Sequence, residues 1–108
     1  MHNVERIQCA AIHYNTPYTH EHQPKNITTG YVICGLRHHN CIQVFSQIVA
    51  GMKGMEIIKL KNGSTQGFLT STNRFVNRLE GLVIAIKAGQ VTELKDPNKK
   101  ELYSEDLY

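Results

Sequence analysis

The chain has 108 residues, of which 41% are hydrophobic and 19% charged, and its formal net charge is +3 at pH 7. This length predicts a single domain over residues 1–108 with one modest core. The charges are dispersed and the pI is about 8.8, whereas proteins that coat long nucleic acids concentrate their basic residues in a stripe. We therefore expect no long nucleic acid as a partner.

Cysteine usage and hydropathy indicate a reducing, aqueous compartment. The chain has three cysteines, and this odd number argues against a disulfide framework. No secretory signal is recognisable near the N-terminus, and no apolar run approaches the ~18 residues of a membrane helix. We expect a cytoplasmic protein without a membrane partner.

The first third of the chain predicts two antiparallel strands. Residues 6–14 alternate loosely between apolar and polar side chains, which places Ile7, Cys9 and Ala11 on one face of a first strand. Residues 28–35 are rich in β-branched side chains and end in glycine, a pattern typical of a strand. The polar segment 15–26 between them, with two prolines and two histidines, is a long connection of the kind that forms binding loops or mobile flaps.

A helix is predicted over residues 39–50, and basic side chains stand at its start. Its apolar residues have helical spacing: Cys41, Val44, Phe45, Ile48 and Val49. Arg37, His38 and His39 therefore lie where a helix presents unpaired N–H groups and the positive end of its dipole. This arrangement favours an anion, most simply a phosphate. The simpler alternatives are that Arg37 is only solvated, as arginines at helix starts often are, and that His38 and His39 are ordinary turn residues.

A similar strand–turn–helix pattern follows. Residues 55–60 fit a short strand or an extension of the helix, and the Asn-Gly pair within 61–64 predicts a hairpin turn. Residues 65–70 predict a third strand. The resulting order β-β-α-β-α predicts an α+β fold, with a small antiparallel sheet covered on one face by two helices.

The second of these helices is predicted over residues 77–88. Asn77 and Glu80 fit an Asn-headed capping box, and Gly89 fits the position just after a helix end. The predicted core stripe has four members: Leu79, Leu82, Val83 and Ile86.

Arg74, Phe75 and Arg78 precede or begin this helix and predict a second cationic helix start. Two such sites, with Phe75 as an aromatic surface, suit a ligand that carries more than one phosphate and a flat base. The acidic tail offers a further contact, since Glu105 or Asp106 could fold back and accept hydrogen bonds from ribose hydroxyls. A solvated tail is the alternative.

Other chemistries have weaker support in the sequence. Cys34, His38, His39 and Cys41 are zinc-ligand types, but their spacing differs from structural zinc motifs, and buried structural thiols are the favoured account of the cysteines. No phosphate-loop or dinucleotide-binding motif and no nucleophile elbow occurs. We expect no metal, no cofactor and no enzymatic activity.

Several segments of this chain together resemble a family of small phage proteins, the phage Thoeris anti-defence proteins. The resemblance covers most of the chain outside residues 15–26 and 51–64. It is carried by residues 9–12, 37–41, 66–71, 73–78, 88–90 and 104–107.

The resemblance implies an antiparallel sheet with two helices, assembled as homodimers or trimers of dimers with ligand pockets at the subunit interface. It also implies a sponge that binds cyclic ADP-ribose isomers, and in some members cyclic oligonucleotides, without degrading them, in the cytosol of the infected bacterium. The implied ligand contacts are Arg37, His38, Arg74, Phe75, Asn77 and Arg78, to which the residue pattern adds His39 and Asp106.

Two other functions remain open, and the chain's assembly is a separate expectation. The protein could be an enzyme that cleaves a nucleotide with His38 or His39 as general acid–base, or a host-protein interaction module that docks through residues 103–108. A small core without tryptophan, and an N-terminal strand expected at a free sheet edge, predict a homodimer.

Overall fold

The computed structural model describes residues 4–91 and 100–107. Within these ranges the elements are β1 (Ile7–Tyr14), β2 (Tyr31–Gly35), α1 (His38–Ile48), α2 (Gly54–Asn62), β3 (Ser64–Thr70), β4 (Phe75–Asn77), α3 (Arg78–Lys87) and a 3-10 turn (Ser104–Asp106). The predicted α+β class is confirmed, with one additional helix, α2, and one additional short strand, β4.

The strands form one antiparallel sheet in the order β2-β1-β3-β4. The predicted pairing of the first two strands is confirmed, and Ile12 of β1 pairs with Ile33 on one side and Gln66 on the other. The N-terminal strand is therefore central, and the expectation that it has a free edge is wrong. A register shift between Ile7 and Cys9 moves Ile7 to the core side with Ile12, so the expected common face of Ile7 and Cys9 is also wrong.

Helix α1 packs on the sheet through only part of its predicted stripe. The Phe45 ring stacks on Tyr14 of β1 with 4.0 Å between ring centroids. Cys41 and Val49 are also buried, whereas Val44 and Ile48 are exposed. The three buried residues follow the spacing i, i+4 and i+8, which directs one narrow face of α1 to the sheet.

Helix α3 buries a different face from the predicted one. Its buried residues are Gly81, Leu82 and Ala85. The remaining members of the predicted stripe are exposed: Leu79, Val83 and Ile86. The physical reason is close packing, because a Cβ atom added at Gly81 would lie only 3.0 Å from Phe68. Small residues let this helix approach the sheet more closely than the larger apolar residues would.

The Asn-Gly pair ends a helix instead of forming the predicted hairpin turn. Gly63 N–H donates to the Lys59 carbonyl at 3.2 Å, which closes the last turn of α2. The tight turn lies at Asn73, with a φ of 62°, between β3 and β4. In the part of the chain that the structure describes, no helix has the length and apolarity to cross a membrane.

The connection between β1 and β2 is tied to both edge strands of the sheet. The Asn26 side chain donates to the Phe75 carbonyl at 2.7 Å and accepts from the Phe75 N–H at 2.8 Å, on β4. The Gln23 side chain accepts from Val32 N–H at 2.7 Å, on β2. These bonds satisfy backbone groups of β2 and β4 that the sheet itself leaves unpaired.

Candidate functional site

A cleft of about 400 Å³ lies where α1 and α3 begin. It is lined by Arg37, His38, His39, Arg78, Tyr103, Ser104 and Glu105. The two helices meet here because β4 is short: it ends at Asn77, which pairs with Gly67 of β3, and His38 at the start of α1 contacts the same Gly67. Four residues predicted to bind an anion thus share one cleft.

His38 is buried and held in a defined orientation. Its Nε2 atom lies 2.8 Å from the Gly67 carbonyl oxygen, and its ring meets Phe68 edge-on with 5.1 Å between centroids. Because a carbonyl can only accept, Nε2 carries the proton in this contact. Burial lowers the pKa of His38, which favours the neutral ring. The alternative that His38 is an ordinary turn residue is wrong, because it is the buried first residue of α1.

The start of α1 is electropositive without depending on His38. Arg37 is the N-cap residue, and its N–H donates to the Asn40 side chain at 3.1 Å. The first turn contains no acidic residue. The N–H groups of His38 and His39 have no acceptor within the helix, as at every helix start. Arg37 is half-buried, so its guanidinium adds to the positive potential of the helix start.

Arg78 holds the C-terminal tail against the cleft. Its guanidinium donates to the Leu102 carbonyl at 2.9 Å and to the Gln66 side chain. It also lies over the Tyr103 ring, 4.5 Å from the ring centroid. Arg78 therefore forms part of the wall of the cleft, and two of its five N–H donors are already used by Leu102 in the tail and Gln66 in β3.

The tail is docked against the core through Leu102 and Ser104, which are buried, so the alternative of a wholly solvated tail is wrong. Leu102 is fully buried in the core. The Asp106 carboxylate accepts from Tyr103 N–H at 2.8 Å and stabilises the 3-10 turn. Glu105 is the tail carboxylate that lines the cleft. The sequence does contain a signal for this docking, because two large apolar residues, Leu102 and Leu107, lie within an otherwise acidic segment.

Arg74 lies outside the cleft, and the expectation that it stands at a helix start is wrong. The residues after it form β4, and α3 begins four residues later. Its guanidinium makes a bidentate pair with Glu5, with bonds of 2.9 and 2.7 Å. Hydrogen bonds from Arg74, and further bonds from Thr72 and Thr70, lower the pKa of Glu5 to about 2. Arg74 is thus already neutralised by a carboxylate.

Phe75 and Asn77 do not line the cleft, and their contacts stabilise the fold. Phe75 is buried, with its ring centroid 5.8 Å from that of His13, so its ring is not a free stacking surface in the cleft. The Asn77 side chain accepts from Glu80 N–H at 2.8 Å, which confirms the predicted cap of α3. The sequence interpretation missed Tyr103 and Ser104, which the docked tail brings to the cleft.

The cysteines occupy three environments. Cys41 is buried, Cys9 is half-buried and Cys34 is exposed, so the expectation of buried thiols is wrong for Cys34. A hydrogen bond from Cys34 lowers the pKa of Cys9 to about 7. Among the described residues, no three His, Cys, Asp or Glu side chains are grouped so that they could hold a metal ion.

Comparison with known proteins places the chain in a phage family. The family described as phage T4 y16D protein matches residues 6–108. No curated protein and no solved structure shows significant similarity. The matched region includes every residue of the cleft and the whole sheet.

Proposed function

We propose that this chain, which belongs to the phage T4 y16D protein family and is a small phage protein, binds and sequesters a cyclic nucleotide immune signal of the bacterial host. The ligand would be a cyclic ADP-ribose isomer or a cyclic oligonucleotide, and it would be held without being degraded. The observation that carries the proposal is the cleft where two helix starts, Arg37 and an exposed aromatic ring converge.

The phosphates would bind at the start of α1. There the free N–H groups of His38 and His39 point out of the helix, and the dipole favours negative charge. Arg37 would add charge-assisted hydrogen bonds, each worth roughly 1.5–3 kcal/mol. His38 would orient the helix start through its bond to Gly67 and contribute its N–H without carrying charge.

The base and sugar would contact the docked tail. Tyr103 is 42% exposed, and Arg78 lies over its ring, so an adenine base could stack against the exposed part of the ring. Tyr103 would take the role that the sequence interpretation gave to Phe75. The Glu105 carboxylate could accept hydrogen bonds from ribose hydroxyls, as proposed for the tail. A cleft of about 400 Å³ falls within the usual range for small-ligand sites.

One observation favours an enzyme as the second candidate. His39 and Glu105 line the same cleft, and an exposed histidine near a carboxylate can act in general acid–base catalysis. In this alternative the protein would cleave the nucleotide and release products. The third possibility, a free docking peptide at residues 103–108, has less support because Leu102 and Ser104 are buried.

Binding can be tested by isothermal titration with cyclic ADP-ribose isomers and cyclic di- and trinucleotides. Arg37→Gln should weaken binding about tenfold or more, since it removes a charge-assisted hydrogen bond. Lys61→Gln is the matched control, because it removes one positive charge from the exposed end of α2, and its affinity should equal that of the unmodified protein. Absence of heat with every nucleotide would refute the proposal.

Catalysis can be separated from sequestration by recovering the ligand. After long incubation the protein is heat-denatured and the nucleotide is chromatographed. Recovery of intact ligand supports sequestration. New products that disappear in His39→Gln would establish the enzyme instead.

A further inference from the structure

Helix α3 carries an exposed apolar ridge, formed by Leu79, Val83 and Ile86. These side chains are 55%, 60% and 46% exposed. They lie on one side of the helix because their spacing is i, i+4 and i+7. Soluble proteins seldom leave contiguous apolar surface uncovered without an interaction that uses it.

A groove runs beside the α3 ridge. It has a volume of about 530 Å³ and is lined by Val4, Glu5, Arg74, Val83, Ile84 and Lys87. Val4 is 54% exposed, so the apolar surface extends beyond the helix to the N-terminal segment. A ridge and an adjacent groove on one surface suit a two-fold contact, since each copy can place its ridge in the groove of the other.

The charges that flank the ridge favour an antiparallel arrangement. Glu80 lies in the first turn of α3 and Lys87 in the last, seven residues apart and therefore on the same side of the helix. When two identical helices pack antiparallel around a two-fold axis, the same side of each helix faces its counterpart, and the two chains run in opposite directions. Glu80 of each copy would then approach Lys87 of the other, and the two helix dipoles would oppose favourably.

We propose that a second copy of this chain covers the α3 ridge, forming an antiparallel two-fold dimer centred on Val83. The proposal is independent of the nucleotide cleft, because no residue of the ridge lines that cleft. Dimer formation and ligand binding can thus be measured separately, and the loss of one does not imply the loss of the other.

Sedimentation equilibrium of the unmodified protein at micromolar concentration should give twice the mass of one chain. Val83→Glu should raise the dimer dissociation constant about 100-fold or more, because it places an unpaired carboxylate in the interface. Ile58→Glu is the matched control: Ile58 is 58% exposed on α2, and its substitution should leave the dimer intact. Circular dichroism should confirm that both variants are folded.

The antiparallel arrangement has its own test. Glu80→Lys should weaken the dimer by placing like charges together, and the double variant Glu80→Lys with Lys87→Glu should restore it. A monomeric unmodified protein would overturn the proposal. So would a Val83→Glu variant that remains dimeric, and failure of the double variant to restore the dimer would overturn the antiparallel pairing.

Discussion

Glu5 organises the junction between the N-terminal segment and the β3–β4 turn. Its carboxylate accepts bonds from Arg74, from Thr70 at 2.7 Å and from Thr72. The ion pair is partly exposed, with side-chain exposures of 35% for Arg74 and 23% for Glu5. Solvent therefore screens part of its energy. This cluster stabilises the fold, which explains why an arginine expected in a ligand site lies elsewhere.

Glu5→Gln should reduce the free energy of unfolding at pH 7 by about 1 kcal/mol, after allowance for solvent screening. The pKa of Glu5 falls from 4.5 to about 2 on folding, so its stabilisation is complete above about pH 4.5. It is lost as the pH falls toward 2. Urea unfolding at several pH values should show the two proteins converging in acid.

Glu56→Gln is the control for the charge change, because Glu56 is exposed on α2. Its free energy of unfolding should equal that of the unmodified protein across the same pH range. A Glu5→Gln variant whose deficit is unchanged at low pH would contradict the assigned role of the carboxylate.

Strand β3 brings the sheet and the cleft together at Gly67. The residue pairs with Asn77 of β4, and its carbonyl accepts the His38 contact. A side chain is excluded here because a Cβ atom would collide with the Val76 carbonyl oxygen and lie 2.9 Å from the Phe75 ring. Close approach of β4 therefore requires glycine at this position.

Gly67→Ala should reduce the free energy of unfolding by about 2 kcal/mol or more, because relieving the collision requires a shift of the β4 backbone. Gly51→Ala should have little effect, since no heavy atom lies within 4 Å of its added Cβ. Urea denaturation measures the free energy of unfolding of both variants and of the unmodified protein. Equal stabilities would show that β4 does not pack as closely as described.

At the scale of the whole molecule, the C-terminal segment packs against the core and completes the fold. Leu102 N–H donates to the Arg78 carbonyl at 2.9 Å, and the Leu102 side chain is fully buried beside Gly81 and Phe68. The tail thus joins the core to the start of α3. The same contact places Tyr103 and Glu105 in the cleft, so folding and site assembly depend on one segment.

Leu102→Ala should reduce the free energy of unfolding by about 2–4 kcal/mol, through lost apolar burial and the cavity left behind. It should also weaken nucleotide binding, because Tyr103 and Glu105 lose their anchor. Glu101→Ala, at an exposed neighbour, serves as the control and should retain stability. Thermal unfolding measures the loss of stability, and isothermal titration measures the loss of nucleotide binding. A Leu102→Ala variant as stable as the unmodified protein would mean that the tail is not part of the core.

Several features could be predicted because they depend on neighbours in the chain. The Asn77 cap and Gly89 with its φ of 73° are confirmed, since capping joins residues at most a few positions apart. The antiparallel strand pair and the α+β class are also confirmed. The three residues Arg37, His38 and His39 could be placed at a helix start for the same reason.

The sequence alone determined strands β1, β2 and β3, helices α1 and α3, and one cationic helix start; the tertiary structure decided which surfaces meet. Helix α3 is apolar around most of its circumference, so periodicity could not select the buried face, and close packing of Gly81 on Phe68 did. Glu5 and Arg74 are 69 positions apart, and no local pattern links them. The docked tail likewise depends on Leu102 filling a space that exists only after the sheet and α3 have packed.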